Sequence, residues 1–340
     1  MNVSAPDPIF DHLLRMTDHR GTFEHARLAA PRTEHGYCTD DMARVLVVAT
    51  RQPNSDGAVN GLARVAVQFL NDAQAFAGKC RNRMDRLGRF TDEPAAEDAW
   101  GRCLWGLGTA AAHSDVSLIR RLAVIQFERS AAVRSPWSRA MAFAALGAAE
   151  LLSVEPGHRG ARALMTDYAA GVGRPSADGA WPWPEPRLTY ANAVLPEAMI
   201  AAGVALEDAP LQQRGLDLLS WLVDYETADG HLSPTPAGGR GSGDARPGFD
   251  QQPIEISTLA DACARASGVD AGAIWPDTVR AAAAWFDGAN DAGLRMWDPQ
   301  TGGGFDGLHA DGVNLNQGAE STLAALSTMQ QAMRLATVPQ

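Results

Sequence analysis

Six short segments are rich in acidic, basic, amide or aromatic side chains, the residue types that can take part in chemistry. They are residues 34–41, 97–102, 134–139, 187–192, 249–255 and 314–320. Hydrolysis of a glycosidic bond needs two carboxyl groups flanking the bond, one protonated and one ionised. Adjacent acidic pairs occur at Asp40–Asp41 and Glu97–Asp98. Because crowded like charges raise the pKa of one member of such a pair, these segments predict general acid–base chemistry by carboxyl groups.

Asp41 and Asp98 are the predicted catalytic pair, and Glu320 is the next candidate. An arginine follows each aspartate by one helical turn, Arg44 after Asp41 and Arg102 after Asp98. A guanidinium at that spacing holds a carboxylate ionised. The structural alternative is ordinary N-capping or an intrahelical ion pair, because acidic residues favour the first turn of a helix. Which of the two is the acid and which the base stays open.

The other polar and aromatic side chains of these segments are of the types that recognise sugars. Aromatic faces stack on sugar rings, and amides and charged groups hydrogen-bond to hydroxyls. Amides also cap helices and pack loops, so each residue alone is a weak signal. The predicted substrate-binding residues are His35, Tyr37, Asp40, Arg44, Glu97, Arg102, Trp137, Trp183, Tyr190, Asn192, Asp250, Gln251, Gln252, Glu255, His309, Asn316 and Gln317. Neither CxxC nor His-x3-His spacing occurs, so no metal or cofactor is expected.

The sequence around these segments has helical periodicity, interrupted by glycine- and proline-rich stretches. It predicts twelve helices, near residues 7–17, 40–52, 58–77, 97–112, 115–130, 136–153, 157–172, 190–205, 208–225, 252–266, 273–288 and 317–334. Short extended pieces at 81–90 and 179–184 are predicted hairpins. There is no βαβ alternation and no glycine-rich phosphate loop. The predicted fold class is therefore all-α.

Short connections make consecutive helices antiparallel neighbours, so alternate helices share one direction. The chemistry-bearing segments precede alternate helices, which predicts an inner ring of six helices with their N-termini at one mouth. The expected fold is a single (α/α)6 toroid over residues 1–340, with short hairpins on its rim and residues 1–20 and 335–340 as peripheral ends. The glycine-rich runs 237–243 and 302–304 are expected to be mobile rim loops, and Arg240 to be solvated.

Composition and charge exclude several classes of partner. The chain has 340 residues, and 29 basic against 40 acidic residues give a net charge of −11. Such a protein repels phosphate backbones and anionic lipid surfaces, so neither nucleic acid nor membrane is expected as a partner. No apolar run is long enough for a membrane span, and no export signal is visible. Four scattered cysteines then indicate reduced thiols in a cytoplasmic protein.

Five ordered blocks resemble a family of six-hairpin glycosidase-like proteins that are often encoded beside, or fused to, glycosyltransferases. They are GYCTDDMAR (36–44), EDAWGRCLWGLG (97–108), WPW with LTYAN (181–183 and 188–192), FDQQP (249–253) and NQGAEST (316–322). The resemblance covers residues 20–330 and implies the toroid, a carbohydrate-active enzyme and an association with a glycosyltransferase. Two positions depart from the expected pattern, Met42 in place of Asn and Ala191 in place of Asp, and either is expected to change substrate contacts.

The leading functional hypothesis is a glycoside hydrolase that acts on an oligosaccharide with inversion. One alternative is a sugar phosphorylase, which needs a single catalytic carboxyl and a phosphate pocket. Another is an epimerase, in which His35 and His309 would move a proton on and off one sugar. A non-catalytic glycan-binding protein or glycosyltransferase accessory protein is the alternative outside enzymes, favoured by the departures at Met42 and Ala191.

Overall fold

The computed structural model describes residues 7–172 and 180–337. Within these ranges lie twelve α-helices, as the periodicity predicts. They are α1 (Asp11–Arg15), α2 (Thr39–Arg51), α3 (Gly57–Ala73), α4 (Asp98–His113), α5 (Ser117–Ser130), α6 (Ser138–Val154), α7 (Arg159–Gly171), α8 (Val194–Ala205), α9 (Ala209–Tyr225), α10 (Pro253–Ala266), α11 (Ile274–Phe286) and α12 (Ala319–Thr337). The largest differences from the prediction are a shorter α1, an earlier end of α3 and a later start of α8.

The β-strands of the described ranges form four two-stranded antiparallel ladders, and isolated bridges occur outside them. They are β1 (Ala26–Arg27) with β2 (Ala30–Pro31), β3 (Tyr37–Cys38) with β4 (Arg83–Met84), β5 (Thr227–Ala228) with β6 (His231–Leu232), and β7 (Gly307–His309) with β8 (Gly312–Asn314).

The two predicted hairpins have different outcomes. At 81–90 a turn forms with a bridge between Met84 and Phe90. Its first strand also pairs with Tyr37 and Cys38, the two residues that precede α2. The prediction at 179–184 begins outside the described residues, and residues 180–184 contain no strand. Ladder β3–β4 therefore ties the start of α2 to a segment that is remote in sequence.

The described residues form two compact units. One contains residues 13–172 and 201–212, and the other contains residues 7–12, 180–200 and 213–337. The single domain expected from the sequence stays a prediction. In the first unit α4 packs between α2 and α6, and each of these three helices also packs against the helix that follows it in the chain. In the second unit α10 packs against both α11 and α12.

Glycines allow the close approach of α4 and α6. A Cβ added at Gly101 would lie 2.2 Å from the Ala140 carbonyl oxygen, and one at Gly108 would lie 2.0 Å from that of Gly147. At Gly147 the added Cβ would lie 2.1 Å from the Leu104 carbonyl oxygen. Small residues therefore let α4 and α6 pack closely, and the close packing fixes the position of the first turns of both helices.

The expectation that Arg240 is solvated is wrong. Its side chain is 1% exposed, and the guanidinium donates to the carbonyl oxygens of Ser233 and Pro234 at 3.1 Å each. Its backbone pairs with Leu188 in both directions. Burial raises the pKa of the Glu226 carboxyl, and the nearby Arg240 guanidinium opposes that rise. A buried arginine thus anchors this segment, which the sequence alone indicates only as a glycine-rich loop.

The second glycine-rich run, 302–304, is also packed. Its three glycines are buried. A Cβ at Gly302 would lie 1.8 Å from the Ile9 carbonyl oxygen, and Gly304 donates its N–H to the Thr322 hydroxyl at 3.2 Å. These glycines allow close packing of the backbone against its neighbours, and they do not form an exposed loop.

In the ranges that the structure describes, no helix has the length and apolar character to cross a membrane. All four cysteines fall in those ranges, are buried and form no disulfide.

Candidate functional site

The N-terminal ends of α2 and α4 bring two aspartates to one arginine. The Arg102 Nε lies 3.6 Å from Asp40 Oδ1, and its Nη2 lies 3.8 Å from Asp98 Oδ2. The guanidinium carbon of Arg102 lies 4.3 Å from the ring centre of Phe143 in α6, a cation–π contact. We call Asp40, Asp98 and Arg102 the aspartate–arginine cluster.

Asp98 has the environment of a proton donor. Burial raises the pKa of its carboxyl, and the charge of Asp40 adds to this rise. The guanidinium groups of Arg102, Arg139 and Arg44 lower the pKa of Asp98 but do not cancel the effect of burial. Its side chain is still 27% exposed. Asp98 is therefore an accessible carboxyl that keeps its proton to a higher pH than an ordinary aspartate.

The structure corrects the choice of Asp41 as a catalytic residue. Asp41 is 2% exposed, and its carboxylate accepts a hydrogen bond from Arg44 Nη1 at 2.7 Å and another from Cys38 Sγ at 3.1 Å. The neighbouring Asp40 has a side chain that is 23% exposed. Of the adjacent pair, Asp40 is thus accessible to a substrate, whereas Asp41 and Arg44 form a buried ion pair that stabilises the start of α2.

Cys38 is buried at the N-cap position of α2. Its sulfur caps α2 by accepting the Asp41 N–H, and its thiol donates to the Asp41 carboxylate. Burial and the nearby negative charges of Asp41, Asp40 and Glu24 raise the pKa of the thiol. Cys38 is therefore an inert structural residue.

Tyr37 and Met42 belong to the core. Tyr37 is 1% exposed, stacks on Phe23 with ring centres 4.8 Å apart, and donates its hydroxyl to Asp18 at 2.8 Å. Met42 is fully buried, and its sulfur accepts the Thr22 N–H at 3.1 Å. The predicted binding role of Tyr37 is thus corrected, and the departure at Met42 changes core packing.

Three predicted binding residues of this unit are exposed. Glu97 and Trp137 occupy the N-cap positions of α4 and α6 without making a side-chain cap. Trp137 is 59% exposed. His35 ends a short 3-10 helix, and its ring meets the edge of the His25 ring at 4.9 Å. Their roles in binding stay predictions.

The second unit contains another carboxyl with a raised pKa. Burial raises the pKa of Asp250, and His309 opposes the rise. Asp250 is 30% exposed, and its Oδ1 lies 4.0 Å from His309 Nδ1. A Cβ at Gly307 would lie 2.4 Å from Asp250 Oδ1, so the absence of a side chain there makes room for the carboxyl. These two residues form the Asp250–His309 pair.

Glu255 holds the turn that leads into α8. Glu255 is 4% exposed and accepts hydrogen bonds from the backbone N–H groups of Ala191 and Asn192 and from Asn192 Nδ2. Asn192 is fully buried and accepts the Thr189 N–H at 2.9 Å. Ala191 has a φ of +46°, a conformation that side chains rarely adopt and that these bonds maintain. The structure therefore reassigns Glu255 and Asn192 from substrate binding to positioning.

We expect Glu255→Gln to lower the free energy of unfolding by about 1–2 kcal/mol, because the amide accepts at one atom only and turns its NH2 towards backbone donors. Urea unfolding monitored by circular dichroism measures the change. Glu207→Gln, at an exposed position, is the matched control and should leave stability unchanged. Equal unfolding midpoints for both variants would contradict the structural role of Glu255.

The remaining amides divide into packed and partly exposed residues. Gln251 is fully buried and donates to the Asp291 carboxylate, and Gln317 is 6% exposed, so both are corrected from binding to packing residues. Gln252 is the N-cap residue of α10. Gln252, Asn316 and the first-turn residue Glu320 are partly exposed and stay predicted site residues.

Trp183 is part of an aromatic cluster in the second unit. It is 1% exposed, and its ring stacks on Trp221, which stacks in turn on Tyr225. Its faces are therefore occupied by protein, and the packing interpretation replaces sugar stacking. Tyr190 is 41% exposed, and its stacking role stays a prediction.

Sequence reasoning missed Asn82. Its side chain bonds twice to Asp40, because Nδ2 donates to Asp40 Oδ2 at 3.0 Å and Oδ1 accepts the Asp40 N–H at 3.3 Å. The only signal was its place in the predicted hairpin 81–90, which does not reveal pairing with residues 37–40. Among the described residues, no group of three or more His, Cys, Asp and Glu is arranged to hold a metal.

Comparison with known proteins identifies the fold. No family model and no curated protein sequence matches the chain. A sugar epimerase from a ruminal bacterium matches with a TM-score of 0.74 at 12% identity, covering 99% of this chain and 98% of its own. Cellobiose 2-epimerase from Bacillus thermoamylovorans matches with a TM-score of 0.73 at 11% identity, covering 97% and 96%.

An inactive variant of the α-1,6-mannanase of Salegentibacter sp., in complex with α-1,6-mannotetrose, matches with a TM-score of 0.63 at 10% identity and 96% coverage of both chains. The all-α, (α/α)6-toroid fold predicted from the sequence is confirmed, and the chain shares it with carbohydrate-active enzymes.

Proposed function

We propose that the chain is a glycoside hydrolase that cleaves an oligosaccharide, with Asp98 as the proton donor. The observation that carries this proposal is the aspartate–arginine cluster, in which an accessible carboxyl with a raised pKa lies beside a second accessible carboxylate. One protonated and one ionised carboxyl are what glycoside hydrolysis requires. The fold shared with a mannanase and with sugar epimerases is consistent with a saccharide substrate.

In this mechanism Asp98 gives its proton to the glycosidic oxygen as the bond to the anomeric carbon breaks. Asp40 takes a proton from the water that attacks the opposite face of that carbon, so the product anomer is inverted. Arg102 contacts both carboxyl groups and favours the charge that develops on Asp98 when its proton leaves. After the reaction Asp98 is ionised and Asp40 is protonated, and proton exchange with solvent restores the starting state of both groups.

The testing experiment is a screen of defined α- and β-linked oligosaccharides, with and without inorganic phosphate, followed by proton NMR. Sugar release without phosphate supports a hydrolase, and the anomer formed first distinguishes inversion from retention. An absolute requirement for phosphate identifies a phosphorylase. Glycan binding without turnover favours a non-catalytic glycan-binding or accessory protein, for which association with a glycosyltransferase and a cytoplasmic location stay predictions.

The raised pKa of Asp98 sets the pH dependence. The donor works only while protonated, so activity should fall as pH rises through the pKa of Asp98, at a pH above the range of an ordinary aspartate. The dependence of kcat/KM on pH measures this descending limb. Asp98→Glu should displace the limb, whereas Glu93→Gln, at an exposed position outside the predicted site, should leave it in place. If the descending limb of the pH profile is unmoved in Asp98→Glu, the proton donor is a residue other than Asp98.

A second candidate function is sugar epimerisation, favoured by the Asp250–His309 pair. A histidine beside a carboxylate suits abstraction of a proton next to a carbonyl group. Incubation of mannose, glucose or cellobiose in D2O would give deuterium at C2 and interconversion without cleavage. His309→Ala should stop this exchange, and His35→Ala tests the other predicted histidine. Cleavage without deuterium at C2 would eliminate the epimerase.

A further inference from the structure

Asn82 joins the β4 segment to the first turn of α2. The Thr39 N–H donates to the Asn82 carbonyl oxygen at 2.9 Å, and the Asp40 N–H donates to the Asn82 Oδ1 at 3.3 Å. The first N–H groups of a helix lack partners within the helix. The residue at the N-cap of α2 is Cys38, whose sulfur is a weak acceptor. Asn82 therefore supplies part of the cap of α2 from a segment more than forty residues away in the chain.

The same side chain also fixes the carboxylate of Asp40. Asn82 Nδ2 donates to Asp40 Oδ2 at 3.0 Å, while Arg102 contacts the other oxygen, Oδ1, at 3.6 Å. One oxygen is thus oriented by an amide and the other by a guanidinium. Asn82 immediately precedes β4 and Arg102 lies in α4, so the two contacts come from different segments and together restrict rotation of the carboxylate.

Asp92 holds Asn82 in turn. The two oxygens of the Asp92 carboxylate accept the consecutive backbone N–H groups of Asn82 at 2.6 Å and of Arg83 at 2.9 Å. Thr39 adds a bond from its hydroxyl to the Arg81 carbonyl oxygen at 2.6 Å. A continuous series of hydrogen bonds therefore leads from Asp92 through Asn82 to Asp40 in the aspartate–arginine cluster.

We propose that Asn82 is the positioning residue of this site, which orients Asp40 to accept a proton from the attacking water. The proposal rests on the hydrolase function proposed for the aspartate–arginine cluster. A base misplaced by about 1 Å loses on the order of 10²-fold in rate, so a carboxylate free to rotate would lower kcat more than substrate affinity. The side-chain amide, which donates to the carboxylate while accepting from the backbone, makes asparagine suitable at position 82.

Asn82→Asp is the informative variant. It keeps an acceptor for the Asp40 N–H, removes the donor to Asp40 and places a like charge beside it. Charged groups near Asp40 include Arg102 and Asp98 of α4 and Arg83 of β4. The new carboxylate repels Asp40 at the position where the amide of Asn82 donated a hydrogen bond to it.

We expect kcat of Asn82→Asp and of Asn82→Ala to fall about 10–10²-fold, with KM within about threefold, because both variants lose the donor that orients Asp40. Asn71→Ala, on the surface of α3, is the matched control and should change neither quantity. A purely structural role for Asn82 would lower the unfolding midpoint of both variants and leave kcat of the folded protein at the wild-type value, which would overturn the proposal.

A double-mutant cycle without substrate separates this proposal from the proposed function. Urea unfolding of the full chain measures the free energy of unfolding of the wild type, Asn82→Ala, Asp40→Ala and the double variant. Non-additive effects of the two substitutions support the contact between the two side chains, and additive effects overturn it whatever the activity. A wild-type chain that cleaves no glycoside overturns the hydrolase function and with it the catalytic role of Asp40, and the cycle still decides the contact itself.

Discussion

Asp98→Asn is expected to lower kcat/KM by about 10²–10⁴-fold, the contribution of a positioned general acid. The substitution removes the transferable proton and leaves the shape of the side chain. Because burial already favours the uncharged form of Asp98, the neutral amide should be tolerated without loss of stability. Initial rates on the oligosaccharide that the screen identifies, measured with thermal unfolding of the same preparation, give both quantities.

The matched control for this variant is Asp115→Asn, an exposed aspartate just beyond the C-terminal end of α4. It makes the same chemical change at the opposite end of the same helix and should keep wild-type activity. Asp98→Asn with more than a tenth of wild-type kcat/KM would refute the assignment of Asp98. A substrate with an activated leaving group, which needs no proton, should recover part of the lost rate.

Gly147→Ala is expected to lower the free energy of unfolding by about 2 kcal/mol. The added methyl group would lie 2.1 Å from the Leu104 carbonyl oxygen, so α6 must move away from α4. Overpacking against backbone costs about 3 kcal/mol, and alanine regains about 1 kcal/mol over glycine within a helix. Urea unfolding followed by circular dichroism measures the net change.

Gly61→Ala provides the opposite expectation for the same substitution. Nothing lies within 4 Å of a Cβ added at Gly61 in α3, so this variant should gain up to about 1 kcal/mol from helix propensity. The pair separates the effect of the close contact from that of helix propensity, because both variants replace a helical glycine by alanine. If Gly147→Ala unfolds at the same urea concentration as Gly61→Ala, then α4 and α6 do not approach as closely as their glycines indicate.

The sequence was sufficient for the helices and the fold. Apolar residues at helical spacing and short polar connections place all twelve helices of the described ranges within about four residues of their observed bounds, because helix periodicity and chain reach are local properties. That all six polar N-termini face one mouth stays a prediction.

Tertiary structure decided which polar residues reach a substrate. Asp40 and Asp41 are adjacent, but successive residues of a helix point about 100° apart. Asp41 therefore meets Arg44 in the core, whereas Asp40 meets Arg102, and only the packing of α4 against α2 selects which is buried. Tyr37 and Trp183 are buried against Phe23 and Trp221, contacts that only the folded chain provides.

Long-range pairing explains the remaining errors. The sequence predicts Arg240 to be a loop residue, yet its guanidinium donates to the carbonyl oxygens of residues 233 and 234. Asn82 reads as part of a hairpin, yet it caps α2 and orients Asp40. Composition and periodicity describe each residue with its near neighbours along the chain, and so they determine the helices and the candidate residue types. Burial, pKa and hydrogen-bond partners depend on segments that meet only in the folded chain, and these decided which candidates form the site.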